Sequence, residues 1–201
     1  MYKFALAHFK TAAPILFEVS LNIEPFELEI HPNPLLRLMR SIIGQQLSLT
    51  AARSIFNRFE ELFDKKEITP ARLIKISPEK LRAAGLSYQK ISYLKDLAQK
   101  VVNNELALDK FGELESKIII EELIKIKGIG QWTAEMFLMF SLGRPDVFSF
   151  GDLGLQNAIK QTYKLKNKPT LKQMEKLSKK WAPYRTYAAR ILWASLTNEP
   201  K

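Results

Sequence analysis

Apolar residues recur at three- and four-residue intervals through most of the chain, the spacing of amphipathic helices. Strict alternation, the mark of a half-buried strand, is confined to the N-terminal stretch, around Ile15 to Val19 and Phe26 to Ile30. The pattern predicts an all-α, mainly helical fold with at most minor N-terminal strands. Thr69-Pro70 and Ser77-Pro78 each place a capping hydroxyl before a proline suited to the first helical turn. Pro32-Asn33-Pro34 precedes a helix through Leu35 to Ile43, and Gly143-Arg144-Pro145 ends one that starts near Trp132. These two breaks predict a central helical lobe over 34–144 and a second lobe formed by 1–33 with 145–201, with a cleft between them. Leu81 to Ser87 echoes Ile124 to Gly130 and reads as a second helix-turn-helix, or as a shared way of ending helices on glycine.

At 201 residues the chain can bury a core without covalent staples. It has no cysteine, which removes disulfides, thiolate zinc sites and iron–sulfur clusters together. Two histidines, His8 and His31, are too few for a side-chain metal site of the usual kind. A formal charge of +10 favours a polyanionic partner, either nucleic acid or an anionic membrane face. No apolar run approaches the ~20 residues of a membrane-spanning helix, so the expectation is a soluble, intracellular protein with no membrane partner. The basic loop Lys164 to Lys168 reads as a solvated segment.

The densest chemistry lies between Leu123 and Leu155. Lys127-Gly128-Ile129-Gly130-Gln131-Trp132-Thr133 joins two apolar helices through a pair of glycines, which accept backbone angles that other residues resist. Amides at the start of the second helix, with the helix dipole behind them, can hold a phosphate. Lys125 and Lys127 add charge, Thr133 can donate a hydrogen bond, and Ile129 should be buried between the helices. Such contacts position a backbone without reading its bases. The alternative is an ordinary tight connection.

Asp152 stands just ahead of a helix over Leu153 to Tyr163. It can be a plain N-cap, or the same helix start can favour a carboxylate that stabilises an oxocarbenium-like sugar and activates water. Asp146 is the rival, and spacing alone does not separate them.

Four ordered segments resemble one family: Ile42-Ile43-Gly44-Gln45-Gln46-Leu47-Ser48, the glycine hairpin, Val147 to Leu155, and Trp181 to Trp193. Together they are similar to the DNA-3-methyladenine glycosylase II (alkylbase DNA glycosylase) family of the helix-hairpin-helix (HhH-GPD) DNA glycosylase superfamily. The first 30 residues are too short for the extra N-terminal β domain of many relatives, which gives a compact form. The resemblance selects Asp152 as the catalytic carboxylate. It implies a base pocket lined by Trp132 and Trp193, with Met136 where some relatives carry an aromatic, and Gln45 close to the substrate. It implies DNA contacts from Gln46, near the position of the side chain that fills the gap of a flipped nucleotide, and from Lys127, Gly128, Ile129, Gly130 and Thr133. Arg185 is expected either at a phosphate or holding the two lobes together. Bifunctional members carry a lysine where Trp132 stands, so the expected reaction is base removal by water without AP lyase activity.

The resemblance also implies no required cofactor, apart from a structural Na+ or K+ that many members hold on hairpin carbonyls, here near Gly128 and Gly130. The expected partner is double-stranded damaged DNA and the expected state a monomer in the cytoplasm and nucleoid, or a nucleus. An indole face attracts the positive charge of 3-methyladenine or 7-methylguanine, and such a base must leave the stack to be reached. Two other readings keep parts of this picture: a non-catalytic helix-hairpin-helix DNA-binding module, and a glycosylase for neutral deaminated or oxidised bases.

Overall fold

A computed structural model describes residues 1–197, apart from the side chain of Lys66. In chain order the helices are α1 Tyr2–Ala12, α2 Pro14–Ser20, α3 Pro34–Gly44, α4 Leu49–Glu60, α5 Pro70–Lys75, α6 Pro78–Ala83, α7 Tyr88–Val102, α8 Ser116–Leu123, α9 Gln131–Phe140, α10 Leu153–Thr162, α11 Leu171–Trp181 and α12 Arg185–Thr197. There is no strand among the described residues. No helix among them is long and apolar enough to cross a membrane.

The chain divides into two units, Met1–Ile30 with Leu138–Lys201, and His31–Phe137. The divisions fall upstream of the proline breaks at 33/34 and 144/145. The second lies inside α9, where Phe137 packs against Phe111 of the middle unit while Phe140 packs against Trp193 of the terminal one. In the terminal unit α12 packs on α2, α10 and α11, and α1 on α2 and α11. Its core contains Phe9, Leu16, Trp181, Tyr187 and Leu192, all fully buried. In the middle unit α7 packs on α3, α5 and α6 around Leu38, Ile42, Leu73, Leu81 and Leu94.

Local chemistry sets the helix starts. Thr69 accepts from Arg72 N–H and Ser77 from Lys80 N–H, with Pro70 and Pro78 in the first turn as the sequence predicts. Asn33, Ser48, Ser87 and Thr170 cap their helices likewise, and each such cap contributes about 1 kcal/mol. The echo between the two glycine turns is real at this level. Gly85, at φ +101, closes α6 before Ser87 caps α7, and Gly128, at φ +80, precedes α9.

The N-terminal strands do not form. Pro14 starts α2, so Ile15 to Val19 are helical, with Leu16 and Ser20 buried on one face. Phe26 to Ile30 form no regular element, but their burial alternates: Phe26 and Leu28 are half-buried, while Glu27, Glu29 and Ile30 are exposed. Alternation reports a half-buried segment, and a strand needs a neighbour to pair with. Side chains anchor this segment instead: Phe26 stacks on Tyr187 at 5.7 Å, and Arg190 lies 3.9 Å over the Phe26 ring.

Candidate active site

Within the middle unit, the glycine hairpin is fixed from behind by α7. A Cβ on Gly128 would overlap the Tyr93 ring, and the left-handed backbone there independently favours glycine. Asp96 Oδ2 accepts from Lys127 N–H at 3.0 Å. Lys90 Nζ donates to the carbonyls of Ile43 and Gln45, both at 2.8 Å, so it closes the end of α3. Burial lowers the pKa of this ammonium, while the two carbonyls favour its charge. Residues 90, 93 and 96 lie three apart and share one face of α7.

Gln45 Nε2 donates to Gly128 O at 2.7 Å. Gln45, expected near the substrate, is therefore a brace between the α3 turn and the hairpin. Ile129 is buried as expected, whereas Gly128, Gly130 and Lys127 are exposed. Lys125 is paired with Glu122 at 2.6 Å, which offsets its charge. The helical bond from Ala134 N–H to Gly130 O, at 3.0 Å, closes the first turn of α9, so the amides ahead of it have no helical carbonyl to bond. Thr133 is buried, with 7% of its surface exposed. The carbonyls of Gly128 and Gly130 accept from Gln45 Nε2–H and Ala134 N–H. No cluster of three or more potential metal-ligating side chains occurs among the described residues.

In the terminal unit Asp152 caps α10. Its Oδ1 accepts from Leu155 N–H at 2.7 Å and from Trp193 Nε1–H at 3.0 Å. Trp193, half-buried on α12, also packs against Phe140 with centroids 5.9 Å apart. A Cβ at Gly154 would stand 3.0 Å from Asp152 Oδ1 and 3.2 Å from Trp193 Nε1, so the glycine leaves room for this bond. Asp152 is thus the N-cap of α10, with one oxygen held by a helix amide and an indole.

Asp146 has a different job. It accepts from Arg185 N–H at 3.3 Å and faces Arg185 Nε at 3.4 Å, which ties the start of α12 to the segment before α10. Thr186 reinforces the tie through Arg144 O at 2.6 Å and Val147 N–H at 3.1 Å. Arg185 therefore holds two segments of the terminal unit together.

On α9, Trp132 is 50% exposed, Met136 is half-buried and Phe140 is 38% exposed. Their four-residue spacing places the three on one helix face. Gln46 is exposed at φ +57 in the turn between α3 and α4, a left-handed conformation unusual for a side chain of its size. Sequence reasoning missed Lys90, Tyr93, Asp96, Gly154 and Phe140. Phe140 alone carried a signal, the eight-residue spacing from Trp132; the others act through contacts that span the fold.

The fold as a whole recurs in known proteins. A structure of DNA-3-methyladenine glycosidase from Bacillus halodurans is 40% identical, with a TM-score of 0.87 over 95% of this chain and 89% of that one. Schizosaccharomyces pombe Mag1, a 3-methyladenine DNA glycosylase solved in complex with abasic DNA, is 32% identical, with a TM-score of 0.83 over 98% and 99% of the two chains. A Bacillus subtilis relative that carries the name of a DNA-3-methyladenine glycosylase is 36% identical over 79% of this chain, and the match spans 58% of its greater length. Residues 39–183, from α3 to the end of α11, match the HhH-GPD superfamily of base excision DNA repair proteins, and the chain belongs to that family.

Proposed function

We propose that this protein is a monofunctional DNA glycosylase that hydrolyses the N-glycosidic bond of alkylated purines such as 3-methyladenine and 7-methylguanine in double-stranded DNA. The observation that carries the reading is the Asp152 carboxylate, held at a helix start by Leu155 N–H and the Trp193 indole. The names of the relatives, with identities of 32–40% in the two solved structures, support the alkylated-base assignment.

The hairpin amides, with Lys127, hold the phosphate backbone, and Gln46 enters the space left by the extruded nucleotide. The exposed indole of Trp132 offers a stacking face to a cationic base, with Met136 one turn further along α9 beside it. The bond between the sugar C1′ and the base nitrogen breaks with its electron pair going to the base, which neutralises the base's positive charge. Little protonation of the leaving group is needed. Asp152 stabilises the oxocarbenium-like sugar, and water adds at C1′ as its proton passes to the carboxylate or solvent. The products are free base and an abasic site. Trp132 has no amine to form a Schiff base with the sugar, so the strand stays intact. Hydrolysis of this kind needs water and no cofactor, and the protein acts as a monomer.

The test is release of free base from methylated duplex DNA, with the strand analysed before and after alkali. Free 3-methyladenine with breaks only after alkali is the expected result. Breaks without alkali would refute the monofunctional assignment. Binding without release from any lesion would instead make the chain a DNA-binding module.

A further inference from the structure

The positive charge of this protein is concentrated in one short stretch. Residues 160–180 carry eight lysines and one glutamate, so they supply seven of the ten excess positive charges of the chain. All eight lysines are exposed, and none forms an ion pair among the described residues.

The lysines are ordered by the fold. On α11, Met174, Ser178 and Trp181 are buried, while Lys172, Lys176 and the pair Lys179–Lys180 follow one another on the opposite face. They form a ridge about 12 Å long. Lys164, Lys166 and Lys168 continue the charge through the loop ahead of it, and Lys160 closes α10. Fold stability gives no reason for the ridge, because like charges four apart on a helix repel. The helix dipole accounts only for the last two lysines.

Asp152 caps one end of α10, and the lysine loop begins beyond the other, about 15 Å along the helix axis. We infer that the α11 ridge and the preceding loop form a second DNA-binding surface, which holds the phosphate backbone of undamaged duplex without reading sequence. Lysines suit this task, since each places a point charge on a flexible stem against a regular line of phosphates. Such a surface keeps the protein on DNA between lesions. The inference deepens the glycosylase reading only in naming duplex DNA as the partner.

The experiment compares the full chain with a K166Q/K168Q/K172Q/K176Q variant by fluorescence anisotropy on an undamaged 40-bp duplex at several salt concentrations. Each lost phosphate contact should flatten the plot of log K against log salt by about 0.9. A slope shallower by about 2 to 4, with affinity at least tenfold weaker near 0.1 M salt, is expected. Single-turnover base release from a short lesion duplex at saturating protein should stay unchanged. An unchanged slope would overturn the inference, and so would a parallel loss of saturated base release. Tighter binding of the parent chain to phosphatidylserine vesicles than to duplex would also overturn it. Thermal unfolding checks the variant, and K166Q/K168Q, confined to the loop, should give about half the slope change. If base release is absent in the parent chain, the salt slope still decides this inference by itself.

Discussion

Trp193 donates its indole N–H to the oxygen of Asp152 that caps α10, at 3.0 Å. One bond thus ties the carboxylate to α12, forty-one residues further along the chain. A hydrogen bond to a charged acceptor contributes about 1.5–3 kcal/mol. Trp193→Phe, which keeps a ring and loses the donor, should slow single-turnover base release by roughly 10- to 100-fold. Asp152→Asn should slow it by at least about 100-fold while DNA binding persists. A rate for Trp193→Phe within twofold of the parent would show that the indole only packs.

Gly154→Ala sets two effects against each other. Alanine in a helix favours folding by up to about 1 kcal/mol over glycine. Its Cβ would crowd Asp152 Oδ1 and Trp193 Nε1 at 3.0 and 3.2 Å. The expected result is a thermal midpoint near that of the parent with base release slowed about tenfold. Retention of full rate would mean that the pair moves aside without consequence.

At Gly128 the two contributions can be separated. Gly128→Ala combines a left-handed backbone, at about 1–2 kcal/mol, with overlap on Tyr93, at about 1–3 kcal/mol. Destabilisation of roughly 2–5 kcal/mol in urea unfolding is expected. Adding Tyr93→Ala should relieve the overlap and leave the backbone cost, so the double variant should fall short of additivity.

The two aspartates should part company under substitution. Asp146→Asn weakens a pair whose side chains are about one-third exposed, so the loss should be about 1 kcal/mol or less. That is a few degrees in midpoint, with base release within about twofold of the parent. A loss of rate equal to that of Asp152→Asn would remove the distinction drawn between them.

Tyr187 is buried, and burial together with the neighbouring Glu27 carboxylate pushes its phenol up to about 12. In an unfolded chain the group ionises near pH 10. The folded pKa lies above the unfolded one, so the contribution is intact below pH 10 and is lost as pH rises through about 12. Thermal midpoints measured across that window should fall less steeply for Tyr187→Phe than for the parent. Parallel curves would contradict the assignment.

Local information determined a great deal of this protein. Periodicity, the caps at Thr69 and Ser77, and the glycines at 128 and 130 made the helices and the hairpin legible, because each depends on residues within a turn or two of one another. The same locality misled at Phe26 to Ile30, since alternation cannot report whether a partner strand exists. Asp152 was legible as a helix cap, but choosing it over Asp146 required resemblance to a family. Only the tertiary structure sends Arg185 to Asp146 and Trp193 to Asp152, and only it places Gln45, Tyr93 and Asp96 behind the hairpin. The physical reason is sequence separation: these side chains meet because buried helix faces pack, and packing direction is set by the core as a whole.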